Sequence, residues 1–157
     1  MKDDKYFIRE AIKQADKGIT NQEGGPFGAI IVKNGEIVGR GNNKVTSTND
    51  PTAHAEMVAI RDACKNLNTF QLDDCVIYSS CEPCPMCLGA IYWARPKKLV
   101  FASSKEDASA AGFDDSLIYR EIPLPIEKRM IETQQLLREE GQFVFDKWVA
   151  SDDKTKY

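Results

Sequence analysis

A histidine, two cysteines and a glutamate stand at the spacing a metal site would need. The single histidine lies in His54-Ala55-Glu56, and Pro83-Cys84-Pro85-Met86-Cys87 follows farther on. One imidazole and two thiolates make a three-ligand zinc site that keeps a fourth position open for water, the arrangement of a catalytic zinc. Glu56, two residues from His54, is a poor fourth ligand. It suits the base that takes a proton from that water and passes it to a substrate. Residues two apart on a helix point to different faces, so Glu56 reaches the metal only if His54 points out from the helix start. A structural zinc is the competing reading. Cys81-x-x-Cys84 repeats the spacing of Cys84-x-x-Cys87, so Cys81, Cys84, Cys87 and His54 could close a four-ligand site. Glu56 would then be only a first-turn acid that complements the helix dipole.

These residues need elements to position them. Phe7, Ile8, Ala11, Ile12, Ala15 and Ile19 recur at helical spacing, which predicts an amphipathic helix over 5–19. Gly24-Gly25-Pro26 breaks it, and Phe27 to Val32 reads as a buried strand. Asn34-Gly35 signals a tight turn into a second strand over 36–40. Residues 46–51 are polar and turn-forming, a surface loop. A helix over 53–66 opens at the histidine motif, a strand follows over 75–78, and a helix over 84–94 opens at Cys84 and stops before Pro96. With a further strand over 99–102, residues 75–102 read as a βαβ unit. Residues 126–138 and 142–150 read as helices, the latter carrying Phe143, Phe145, Trp148 and Val149. Cys64 and Cys75 fall on apolar faces and read as small core hydrophobes. With no repeat or linker, 1–157 reads as one α/β domain.

The length of 157 residues suffices to bury a hydrophobic core without staples. No apolar run could cross a membrane, and nothing marks export, so the cytoplasm is the expected compartment. An odd count of five cysteines argues for metal ligation or free thiols over disulfides. The net charge of −3 weighs against a protein held to nucleic acid through phosphates and favours a small uncharged substrate.

At H-x-E followed by P-C-x-x-C the chain resembles the cytidine deaminase-like superfamily of zinc enzymes, and more narrowly the short bacterial guanine deaminases. Gly24-Gly25-Pro26-Phe27-Gly28-Ala29, Asn49 to Glu56, Ser80 to Cys87, Ala90 to Arg95 and Ala111 to Asp115 carry the resemblance. It implies a three-layer α/β/α sandwich around a central mixed β-sheet, with one zinc ion per chain on His54, Cys84 and Cys87, and Cys81 off the metal. It further implies a purine held by Asn43, Phe27, Ala55, Trp93, Asp115 and Tyr157. Asn43 would hydrogen-bond the purine edge, Phe27 and Trp93 would pack on the base, and Asp115 would accept from the ring or its amino group. Tyr157 would close the pocket from a C-terminal helical tail over about 126–157. The resemblance also implies a homodimer in which that tail can come from the partner subunit. Each of these side chains has an ordinary alternative: core aromatics for Phe27 and Trp93, a helix cap for Asp115, a turn former for Asn43, and a loose terminus for Tyr157.

The expected reaction is hydrolytic deamination of guanine to xanthine and ammonia, in purine salvage or catabolism. A tRNA adenosine deaminase and a free cytosine or nucleoside deaminase share the zinc motifs. A zinc-stabilised binding module is the non-enzymatic alternative.

Overall fold

The computed structural model describes residues 2–157, and Met1, where the expected single domain begins, lies outside them. Two compact units divide the chain, one running to Asp115 and the other spanning Ser116–Tyr157.

The first unit opens with α1 (Asp4–Thr20), capped by Asp3, whose carboxylate accepts from the Tyr6 N–H at 2.8 Å. Strand β1 (Gly28–Lys33) turns at Asn34 and Gly35, both at positive φ (50° and 80°), into β2 (Glu36–Asn42). Two positive-φ residues in succession match the twist that a two-residue hairpin needs. A single helical turn, α2 (Val45–Thr48), stands where the sequence suggested only a loop. The Thr48 and Ser47 hydroxyls donate to the Lys44 carbonyl and hold that turn closed. Then come α3 (Ala55–Leu67), β3 (Cys75–Cys81), α4 (Pro85–Ala94) and β4 (Lys98–Ser103). Helix α5 (Lys105–Ala110) was not anticipated, although the Ser104 and Asp107 side chains form a capping box that the sequence spells out.

The strands form one mixed sheet in the order β2-β1-β3-β4, with β1 antiparallel to both neighbours and β3 parallel to β4. Strand alternation assigns its two faces. Ile30, Val32 and Tyr78 pack with Phe7 and Ala11 of α1. Ala29, Ile31, Cys75 and Ile77 pack with Ala55, Ala59 and Ala63 of α3 and with Ile91 and Ala94 of α4. Helices on both faces of a mixed sheet are the three-layer α/β/α sandwich that the sequence implied. A Cβ at Gly41 would lie 2.2 Å from the Ala55 carbonyl oxygen and 2.5 Å from the Ala59 nitrogen. Helix α3 therefore rests directly on strand backbone.

The second unit holds α6 (Ser116–Glu121), a 3-10 turn at Ile126–Lys128 and α7 (Arg138–Ala150). The helix expected over 126–138 is not formed beyond that turn. Pro123 and Pro125 precede it, and Ile126, Met130, Ile131, Leu136 and Leu137 are all exposed. Apolar periodicity stabilises a helix only through a face that packs, and these side chains stand exposed. Among the described residues no helix is long and apolar enough to cross a membrane.

Replacing Gly41 by alanine should force α3 off the sheet and destabilise the fold by about 2 kcal/mol or more. Urea unfolding checks this, and an unchanged midpoint would mean that the helix rides free of the strand.

Candidate metal centre and active site

Two helix starts meet at one end of the sheet. His54 precedes α3 with extended backbone (φ −67°, ψ 157°), and Cys84 precedes α4 in the same conformation (φ −64°, ψ 167°). Neither side chain caps its helix, so both are available to a ligand. His54 thus stands outside the helix while Glu56 lies in its first turn, and two side chains that would diverge on a continuous helix can converge. The loop before His54 is braced by Asp50, whose Oδ1 accepts from the Thr52 N–H (2.8 Å) and hydroxyl (2.7 Å). The Lys44 N–H donates to the Ala53 carbonyl and ties this loop to the end of β2. At α4, Pro85 occupies a first-turn position that lacks a hydrogen-bond partner in any case.

The ligand atoms of His54, Cys84 and Cys87 all lie within 4.8 Å of one another, and His54 Nδ1 is 3.5 Å from Cys84 Sγ. Tetrahedral zinc with bonds of about 2.3 Å to sulfur and about 2.1 Å to nitrogen separates such atoms by roughly 3.6 Å. Donor chemistry and spacing therefore fit zinc. A hydrogen bond from the Cys87 thiol, helped by His54, lowers the Cys84 thiol to about 4. The same bond and burial push Cys87 up, and contact with Cys84 raises His54. Cys84 is held as a thiolate at a helix start, where the dipole favours an anion. Cys81 is directed elsewhere: its thiol donates to the Ser104 carbonyl at 3.4 Å, and burial pushes it up to about 11. The closed alternative of three cysteines and one histidine, which used Cys81, is not assembled, since the cluster comprises His54, Cys84 and Cys87.

Glu56 is 5% exposed, and burial raises its carboxyl above the usual range against the hydrogen bonds it receives. The Ser79 hydroxyl donates to Glu56 Oε1 at 3.1 Å, and Cys87 lies beside the same carboxyl. The buried polar side chains among the described residues are Asn42, Asn43, Glu56, Ser79 and Ser80. They come from the ends of β2 and β3 and the first turn of α3. Burying polar groups is costly without partners, and the fold gathers them at the end of the sheet where the ligands sit.

The remaining candidates are spread more widely. Asn43 is buried, and its backbone N–H donates to the Phe27 carbonyl at 3.0 Å. Phe27 is half-buried with its ring edge-on to Phe113, centroids 4.9 Å apart. Ala55 is fully buried beneath the start of α3. Asp115 is half-buried; burial raises its carboxyl first, and the nearby Cys84 thiolate adds to this. Trp93 is 65% exposed and lies nine residues beyond Cys84, an axial rise of about 13 Å along α4. Tyr157 is exposed and belongs to the second unit.

The sequence profile described as the cytidine and deoxycytidylate deaminase zinc-binding region matches residues 1–103. The chain belongs to this deaminase family. Among its members, guanine deaminase of Bacillus subtilis is 54% identical over 151 residues, which cover 96% of this chain and 97% of that protein. The X-ray structure of a guanine deaminase from Bacillus subtilis superposes with a TM-score of 0.96 at 52% identity, covering 99% of each chain. A tRNA-specific adenosine deaminase of Aquifex aeolicus is 45% identical over 98 residues, 62% of this chain and 64% of its own length.

Within this deaminase domain the sequence reading gave two side chains no role of their own, although Phe113 lay in a stretch that carried the resemblance. Ser79 follows Cys75 and Ile77 on the buried face of β3, and a hydroxyl there breaks the apolar alternation, a usable signal. Phe113 carried no periodic signal, because it lies in a loop between α5 and α6. Replacing Cys84 or Cys87 by serine should abolish stoichiometric zinc, whereas Cys81→Ser should retain it, as read by metal analysis of purified protein. Equal metal loss in all three would restore the closed structural site.

Proposed function

We propose that this chain is a zinc-dependent aminohydrolase that converts guanine and water to xanthine and ammonia. The full-length likeness to guanine deaminase carries this reading. The likeness to the Aquifex tRNA deaminase covers 62% of the chain against 96% for the Bacillus guanine deaminase. A net charge of −3 also favours a neutral base over a polyanion.

Bound to His54, Cys84 and Cys87, zinc would lower the pKa of water at its open position to about 7. Glu56, buried beside Cys87, takes the proton of the attacking water and delivers it to the ring nitrogen next to C2. As C2 becomes tetrahedral, the same carboxylate takes the proton of the new C2 hydroxyl and passes it to the exocyclic nitrogen, which departs as ammonia and leaves a carbonyl oxygen. Burial that raises the Glu56 carboxyl suits a group that must both accept and release a proton. Ser79 fixes one carboxylate oxygen throughout. Asn43, Phe27, Ala55 and Asp115 are assigned to the purine, with Trp93 and Tyr157 assigned on resemblance alone.

The protein acts in the cytoplasm as a homodimer in this reading. What supports a partner copy is the second unit, in which no described residue is buried although Ile131, Leu137, Phe143, Val144, Phe145 and Val149 are each more than 60% exposed. Apolar surface on that scale marks an interaction site.

Ammonia release from guanine, guanosine, cytosine, cytidine and adenine tests the substrate, with guanine expected to react alone. Glu56→Gln should keep its zinc and lose turnover by at least about a thousandfold; near-normal turnover would remove Glu56 from the reaction. In sedimentation the protein should run at twice 17.6 kDa, and a persistent monomer at micromolar concentration would overturn the dimer.

A further inference from the structure

Asn43 can present either end of its carboxamide to a ligand, yet the fold leaves it one choice. Its Oδ1 accepts from the Gly25 and Val45 backbone N–H groups, each at 3.2 Å. Backbone donors can meet only the oxygen, so the NH2 lies on the opposite side. Among the described residues that NH2 donates to no protein group.

The turn between α1 and β1 imposes this orientation. It is pinned at one end by the Glu23 N–H on the Gly18 carbonyl (2.9 Å), and at the other by the Ser47 N–H on the Glu23 carbonyl (3.3 Å). The Glu23 carboxylate accepts from Asn42 Nδ2 at 2.5 Å, and the same nitrogen reaches the Asn43 carbonyl at 3.3 Å. At Gly24 the chain leaves no room for a side chain: a Cβ would lie 2.3 Å from Asn43 Oδ1 and 2.4 Å from its carbonyl oxygen. The collar thus grips Asn43 by both its backbone and its side chain.

We propose that residues 21–26 are a specificity element, with Glu23 and Gly24 as positioning residues that lock Asn43 as a hydrogen-bond donor. The site would then read an acceptor on the ring edge and reject a ring that offers a donor or a C–H there. The discrimination is large in principle, because a locked amide cannot rotate to suit the wrong edge and its NH2 would be left unpaired. This inference rests on the reading in which Asn43 faces the substrate.

The test compares wild type with Gly24→Ala, Glu23→Ala and Glu23→Gln on guanine, 2,6-diaminopurine, 3-deazaguanine and 7-deazaguanine. Wild type should be about ten- to a hundredfold poorer on at least one analogue that lacks an acceptor. Gly24→Ala and Glu23→Ala should raise KM for guanine about tenfold or more and shrink that discrimination, while kcat and zinc content stay close to wild type. Glu23→Gln, whose amide oxygen can accept the Asn42 bond, should restore most of both. Relaxation of the Asn43 side-chain NH2 by NMR, without any substrate, should show a rigid group in wild type and a mobile one in the alanine variants. A mobile NH2 in wild type, or variants that lose kcat, zinc and KM together, would overturn the collar. If wild type deaminates another ring, the guanine reading falls, and the same KM split on that ring decides the collar. If it deaminates none, the relaxation data decide it.

Discussion

Everything at the working end of this molecule depends on two helix starts brought within a few ångströms of each other. His54 and Cys84 each occupy the last extended residue before a helix, so each side chain is aimed by strand-like backbone while the helix behind it supplies a positive pole. The sheet sets the distance between the two starts. Helix α3 is seated on β2 with no side chain between them at Gly41, and α4 is bound into the βαβ crossover by Ile91 and Ala94 in the same core as Ala59 and Ala63. A shift of either helix by an ångström would spoil a tetrahedral donor set, which tolerates only a few tenths.

The energetic arrangement follows from that geometry. The two sheet faces are apolar along most of their length and become polar only at the ligand end. There each buried polar group has a partner: Ser80 receives the Gly28 N–H, Ser79 serves Glu56, and Asn42 serves Glu23. A carboxylate as buried as Glu56 is disfavoured by desolvation and retained by these bonds, and the balance leaves it more basic than a surface glutamate. Packing thereby raises the basicity of the carboxyl proposed to carry the proton.

Local signals were the legible ones. The metal-ligand spacing, the hairpin at Asn34-Gly35 and the βαβ unit of residues 75–102 depend on residues near one another in sequence, and the structure holds all three. Whether Glu56 could share a site with His54 was not legible, because the answer lies in a single ψ angle at the helix boundary. The stretch 126–138 misled for a complementary reason: its apolar spacing resembles a helix, but its apolar side chains are exposed and form no packed face. The collar around Asn43 was hidden as well, since Gly24 and Asn43 are far apart in sequence and glycine's role there is the absence of an atom.

His54, Cys84, Cys87, Glu56 and Ser79 all fall before residue 103, where the match to the zinc-binding region ends, although the likeness to guanine deaminase runs on through 96% of the chain. The stretch beyond Asp115 supplies none of these five side chains, and no residue in it is buried. Substitutions in the last quarter of the chain therefore leave the donor set, Glu56 and its Ser79 hydrogen bond in place. A lineage that rewrites this segment changes what the protein presents to a partner while the zinc donors keep their geometry.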